Sequence, residues 1–170
     1  MFCLFVGWVL SPAHALAEAG KLAIKEVAEI TLPDDELISQ SGKRFSFAAY
    51  QGEKALLINF WATWCAPCVV ELPELEEAAQ KLAGDDIEVA LISVDRKGLA
   101  HAQNFLDERA IKIPLSLHSS MSEWPRQLGL RGLPSSLLIS ADQNEIYMVQ
   151  GAAPWADEEV LAEIRALLAP

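Results

Sequence analysis

The stretch "KALLINFWA" at residues 54–62 narrows the folds open to this chain more than any other. An unbroken apolar run of strand length has no face to give to water, so it reads as a strand buried on both faces of a covered sheet. "IEVALISVD" at 87–95 repeats the pattern. Between them, residues 65–83 carry Leu72, Leu75, Ala79 and Leu82 at helical spacing. Pro73 is expected to kink that helix and Gly84 to stop it. Further on, "LAHAQNFLDERA" reads as an amphipathic helix and "IKIPLSLH" as a short strand. "SEWPRQLGL" is a weak helical turn capped by Ser122, with Pro125 near its start. "SSLLIS" and "EIYMVQG" flank the polar turn "ADQN" as a hairpin, and "ADEEVLAEIRALLA" closes the chain as a helix with acids in its first turn. Upstream, two extended runs in "ELISQSGKRFSF" flank Ser41-Gly42 as a further hairpin. Strands alternating with helices imply an α/β core, with an antiparallel portion near the C-terminus.

A chain of 170 residues with 52% hydrophobic and 22% charged residues is expected to form one globular domain. The net charge of −11, with no Lys/Arg-rich stretch, argues against nucleic acid as a partner, because phosphate contacts need clustered cations. Three cysteines are too few for a disulfide scaffold. The start reads differently: "MFCLFVGWVL" is apolar, and "SPAHALA" offers small residues for cleavage after Ala15 or Ala17. Residues 1–17 are therefore expected to be an export signal or an N-terminal anchor, and 18–170 the domain. No Lys or Arg precedes Lys21, so the usual positive n-region is missing. Pro12 and His14 interrupt the run well short of the ~20 apolar residues of a membrane span. Cys3 lies in this segment and is expected to take no part in the chemistry.

Cys65 and Cys68 follow the first buried strand, at the expected first turn of the next helix. Free N–H groups and the dipole at a helix N-terminus stabilise a thiolate. Three-residue spacing brings the two thiols to one face, within reach of a disulfide. Pro67 fits the first turn, where its missing donor costs nothing. The first cysteine would be the exposed nucleophile and the second the shielded, resolving thiol. A zinc site would need more ligands, since there is no second C-x-x-C and His101 and His118 stand apart. Copper held by both thiolates, with His118 as third ligand, is an alternative.

"NFWATWCAPC" resembles the active site of the thioredoxin superfamily. The longer "FWATWCAPCVVELPEL" is most similar to the bacterial periplasmic TlpA/ResA-like thiol–disulfide oxidoreductases. "GLRGLPSSLLIS" resembles the segment that carries the superfamily's cis-proline, here Pro134, and "GAAPW" also fits this branch. The resemblance runs from about residue 32 to the C-terminus. It implies a thioredoxin-like fold, a central mixed β-sheet flanked by helices, here with an N-terminal β-hairpin extension. It also implies that Cys65 attacks, that Cys68 resolves, and that Trp64 covers the pair and meets partners. Pro134 would be cis and face the cysteines, with Leu133 offering backbone hydrogen bonds to a substrate segment.

Dithiol exchange requires proton movement. Where many thioredoxins keep a buried Asp on the strand before the active site, this chain has Asn59, and an amide is no base. Glu71 falls three residues after Cys68 and matches the acid of the branch's C-x-x-E-x-P pattern. Partly buried, it would have a raised pKa and could take the proton of Cys68. Phe60 and Trp61 are expected in the core, Trp124 and Trp155 as packing residues, and His101 facing solvent. A peroxiredoxin would need threonine where Ala62 stands.

The expected function is an exported, periplasmic thiol–disulfide oxidoreductase, acting mainly as a reductase, with no organic cofactor and no metal. Its partners would be protein disulfide or dithiol clients and a membrane or periplasmic dithiol electron donor, and a monomer is favoured. By resemblance, the clients could belong to cytochrome c maturation or to copper-site assembly in oxidases. The alternative is a Cu(I)-binding chaperone that uses the same thiols as ligands.

Overall fold

A computed structural model describes residues 22–27, 32, 37–39, 41–46, 50, 54–113, 115–118 and 128–169. The expected leader, Cys3, Ser122, Trp124 and Pro125 lie outside the described residues. In chain order the elements are β1 (Ile24–Glu26), β2 (Leu37–Ser39), β3 (Arg44–Phe45), β4 (Ala55–Trp61), α1 (Ala66–Leu82), β5 (Ile87–Ser93), α2 (Leu99–Glu108), β6 (Leu115–His118), β7 (Ser135–Ile139), β8 (Ile146–Gln150) and α3 (Glu158–Leu168).

The strands form one eight-stranded sheet in the order β1-β8-β7-β4-β5-β6-β2-β3. β5 runs parallel to both β4 and β6, while β7 is antiparallel to β4 and β8. This is the expected mixed sheet, and every residue of β4 and β7 is buried, including the polar Asn59, Ser135 and Ser136. The N-terminal hairpin β2–β3 turns at Gly42, whose φ of 76° suits glycine. It docks through β2 onto β6, so the extension lengthens the sheet rather than standing apart from it. β1, paired with β8, was not expected, because three residues carry too little periodicity to read.

Alternation along β4 divides the core. Leu57 and Trp61 pack with Leu72 and Leu75 of α1, Ala102 and Leu106 of α2, and Val160, Leu161 and Ile164 of α3. Leu56, Ile58 and Phe60 face the other way, with Ile92, Leu117, Leu128, Leu130 and Leu137. Asn59 shares the face of Leu57 and Trp61, beneath the helices. α1 is a single helical span through Pro73, with its apolar side inward. It ends at Leu82 in a short 3-10 turn, and the left-handed residue is Asp86 (φ 55°), so Gly84 is not the C-terminal stop expected of it. Among the described residues, no helix is long and apolar enough to cross a membrane.

Candidate active site

β4 delivers the chain to the reactive turn at its C-terminal end. The Cys65 N–H donates to the Ala62 carbonyl at 3.1 Å, closing the turn 62–65, and the Val94 N–H donates to the Trp61 carbonyl at 3.0 Å. Cys65 is the N-cap of α1, with extended backbone angles, and its sulfur accepts from the Cys68 N–H at 3.4 Å. A sulfur at this position lies where the unpaired N–H groups of the first turn converge, which favours its thiolate form when the pair is reduced. Pro67 falls in that first turn.

Cys65 and Cys68 form a disulfide, with their Cα atoms 5.3 Å apart. Its two ends are unlike. Cys65 keeps 6% exposure, whereas Cys68 has none. A partner sulfur can therefore approach Cys65 only. Around that opening the surface is apolar: Trp64 is 69% exposed and Val70, one turn along α1, 78%.

Glu71 lies one turn beyond Cys68 on the buried face of α1 and is only 3% exposed. Its Oε1 accepts from Asn59 Nδ2 at 2.8 Å. Its Oε2 accepts from Trp155 Nε1 at 3.0 Å and from the Ala153 N–H at 3.3 Å. Burial raises its pKa above the ordinary carboxylate value, and the hydrogen bonds from Trp155, Asn59 and Ala153 pull it partly back. Asn59 also donates to Ser136 Oγ at 3.0 Å, across the β4–β7 pairing of these two residues. Its own Oδ1 is buried and has no partner among the described residues.

The peptide between Leu133 and Pro134 is cis. Because Ser135 pairs with Phe60, the register brings Pro134 to the same end of the sheet as the cysteine turn. Its carbonyl accepts from the Gly151 N–H at 2.9 Å. Leu133 is half-buried against both halves of the core. Its backbone groups make no hydrogen bond among the described residues.

Two expectations change. Trp155 packs in the core as expected, but its indole N–H also holds the Glu71 carboxylate, a role that apolar periodicity does not reveal. His101 faces solvent only in part, at the cleft beside the reactive turn. It is half-buried, with Nε2 3.2 Å from Thr63 Oγ1. Thr63 is tied in turn to the buried Asp95, through its N–H to Oδ2 at 2.9 Å and its hydroxyl to Oδ1 at 2.8 Å. Ser93 Oγ supplies a third donor to Asp95, at 3.1 Å. Asp95 thus fixes the turn two residues before Cys65; the only sequence signal for it is an acid ending a buried strand. His118, the candidate third copper ligand, lies on β6, paired with Ser93 of β5 and so two strands from β4. Among the described residues, no three His, Cys, Asp or Glu side chains are grouped to hold a metal ion.

Comparison with known proteins agrees with this arrangement. The sequence profile of the family described as Redoxin matches residues 25–164. The thiol-disulfide oxidoreductase ResA of Bacillus thuringiensis subsp. konkukian is 28% identical over 151 residues, covering 89% of this chain and 83% of that protein. A crystal structure of a thiol:disulfide interchange protein of the thioredoxin family from Chlorobium tepidum superposes with a TM-score of 0.66 at 26% identity, covering 84% of this chain and 99% of that one. The pneumococcal exposed lipoprotein thioredoxin of Streptococcus pneumoniae gives 0.66 at 25% identity, over 79% of this chain and 100% of that one.

Proposed function

The chain belongs to the Redoxin family and is a thiol–disulfide oxidoreductase of the thioredoxin-like, TlpA/ResA-like kind, and we propose that it works outside the cytoplasm as a reductase of protein disulfides. The observation that carries this reading is the asymmetry of the Cys65–Cys68 disulfide, one sulfur at the surface and the other sealed beside a buried carboxylate.

In the reduced protein, the Cys65 thiolate attacks one sulfur of a client disulfide. An S–S bond forms between Cys65 and the client, the client's own S–S bond breaks, and its second sulfur leaves as a thiolate that is protonated. Cys68 then passes its thiol proton to the Glu71 carboxylate and attacks the Cys65 sulfur. The intramolecular disulfide forms, and the client's first sulfur leaves as a thiol. The client gains two electrons and two protons; the protein gives up two electrons and the Cys68 proton, which Glu71 hands to the leaving sulfur, and solvent supplies the other proton. The disulfide form described above is the product of this cycle, and a dithiol donor protein on the same side of the membrane resets it. Trp64 and the Leu133–Pro134 segment hold the client chain beside Cys65 while the mixed disulfide exists.

Export is supported by the apolar first ten residues, the small-residue sites after them, and the similarity to a protein described as an exposed lipoprotein. Clients in cytochrome c maturation or in oxidase copper-site assembly both suit a reductase of this branch. The test is turnover of a protein disulfide by the chain in the presence of a dithiol donor, together with capture of clients on a Cys68→Ala variant. Turnover that disappears in Cys65→Ala, with clients held covalently by Cys68→Ala, is the expected result. Stoichiometric Cu(I) retention against a competing chelator, with no disulfide turnover, would replace this reading with that of a copper chaperone.

A further inference from the structure

The reactive turn opens on one side into a cleft of about 590 Å3 lined by Thr63, Trp64, Val94, Asp95, Arg96, Lys97 and His101. Its charge is at odds with the rest of the molecule. The chain as a whole carries a net charge of −11, yet the rim of this cleft holds two exposed cations in sequence, Arg96 and Lys97. Neither makes an ion pair or hydrogen bond among the described residues. The cleft's one acid, Asp95, is buried, and its carboxylate oxygens are taken up by Thr63 and Ser93. It faces into the turn rather than across to the two cations as a partner for them. Trp64 and Val94 supply apolar lining.

From this we infer that the cleft is the specificity site for the redox partner, and that it takes a segment carrying carboxylates next to its reactive cysteine. The inference rests on the oxidoreductase reading and adds the chemistry of the partner. The net charge of the molecule repels an acidic segment, while Arg96 and Lys97 attract it at the cleft beside the reactive turn; the other cleft with two exposed cations, Lys25 and Arg131, is lined by no residue of that turn. Local attraction within general repulsion favours the approach that brings the partner's sulfur to Cys65, because only at this cleft do the cations adjoin the reactive turn. The apolar part of the segment lies on Trp64 and Val94, its carboxylates reach Arg96 and Lys97, and its sulfur meets Cys65. In the form described, the partner's thiolate attacks the Cys65 sulfur. A partner–Cys65 disulfide forms as the Cys65–Cys68 bond breaks, and Cys68 leaves as a thiolate that takes up a proton.

Three single-cysteine peptides test this. They are identical except for flanking residues, which are Asp and Glu, Ser, or Lys. Each is reacted with the full oxidised chain, and the mixed disulfide is followed by mass spectrometry of acid-quenched samples. Each rate is divided by the same peptide's rate with a small uncharged disulfide, which removes the effect of flanking charge on the thiol. At low ionic strength the acidic peptide is expected to exceed the serine peptide by about 3- to 10-fold, the range open to a few exposed charge pairs. The ratio should fall towards one at ~0.5 M salt, where the Debye length is only a few ångströms. It should also fall to about one in Arg96→Ala/Lys97→Ala. Arg96→Glu/Lys97→Glu should turn the preference towards the lysine peptide. Equal rates for all three peptides, a lysine preference in the unaltered chain, or an acidic preference that survives both double substitutions would overturn the inference while leaving the oxidoreductase reading in place. Failure of the oxidised chain to react with any of the peptides, when the same peptides do react with the small disulfide, would overturn that reading and this inference with it.

Discussion

Asn59 donates its side-chain N–H to Glu71 Oε1 at 2.8 Å, so the strand position without an acid is the one that secures the acid of the helix. Glu71 is met only by donors, from Asn59, Trp155 and Ala153. That arrangement suits the carboxylate, while burial opposes its charge, and burial is the larger influence on its pKa. Asn59 Oδ1, without a partner among the described residues, is the acceptor that a rotation of this amide would offer to the O–H of a protonated Glu71.

The same rotation accommodates Glu71→Gln, whose amide N–H would need an acceptor at that point, so the variant is expected to fold. Closure of the Cys65–Cys68 disulfide should slow by roughly 10²-fold, the lower part of the range for general acid–base catalysis. The wild-type rate profile should contain an ionisation above the ordinary carboxylate value that the variant lacks. Quenched-flow measurement of ring closure against pH decides this, and an unchanged profile in Glu71→Gln would remove the proton-transfer role.

Glu71 also sets a stability slope. Its folded-state pKa lies above the ordinary value of 4.5, so between those two values the folded chain binds more protons than the unfolded one. Stability from this group is therefore greatest at and below about pH 4.5 and declines as pH rises to the raised value. Denaturant unfolding at a series of pH values should show this decline in the wild type, and a flatter curve over the same window in Glu71→Gln.

His118 acts in the opposite direction. Burial pushes its pKa below the ordinary 6.5, against the opposing pull of Asp95 and a hydrogen bond with the Ser93 backbone. The unfolded chain then binds the proton more readily, so stability is full above about pH 6.5 and falls as pH drops through that value. His118→Gln should lose this fall. A variant whose midpoint denaturant concentration tracks the wild type from pH 7 to pH 5 would contradict the assignment.

Trp155→Phe keeps most of the apolar volume and removes one donor to Glu71 Oε2. A lost hydrogen bond to a charged group costs about 1.5–3 kcal/mol, measurable by denaturant unfolding near neutral pH. Because that bond holds the Glu71 pKa down, the ionisation in the rate profile should move further up. A stability loss without movement of the ionisation would mean that the indole only packs.

Leu75→Ala tests the helix on which the second cysteine rides. Leu75 is fully buried between α1 and the sheet, and truncation should cost about 2–5 kcal/mol in thermal or chemical unfolding. A loss below ~1 kcal/mol would contradict the packing of α1 on β4.

The parts of the fold that were legible in sequence are those where local pattern and burial agree. β4 and β5 are largely apolar runs buried on both faces, β7 and β8 flank a polar turn, and α1 and α3 show helical spacing of their core residues. Cys65, Cys68 and Pro134 announce themselves through spacing and resemblance. Trp155 and Asp95 do not, because their roles arise from contacts between distant segments: Trp155 is 84 residues from Glu71 and Asp95 is 32 from Thr63. β1 was missed for the related reason that a three-residue edge strand exists only through its pairing with β8. Gly84 misled because glycine favours a helix stop without requiring one, and Asp86 adopts the left-handed turn instead.

β4 occupies the interior of the strand order, with β7 bonded along one edge and β5 along the other. Backbone amides in such a strand are released only when the whole domain opens, whereas edge strands fray cheaply. The reactive turn is thus suspended from an interior strand hydrogen-bonded along both edges. A partner meets a surface that is already formed, and the bond rearrangement needs no loosening of the scaffold beneath it. Loss of activity on warming should therefore follow cooperative melting of the sheet, without an earlier, separate failure of the turn.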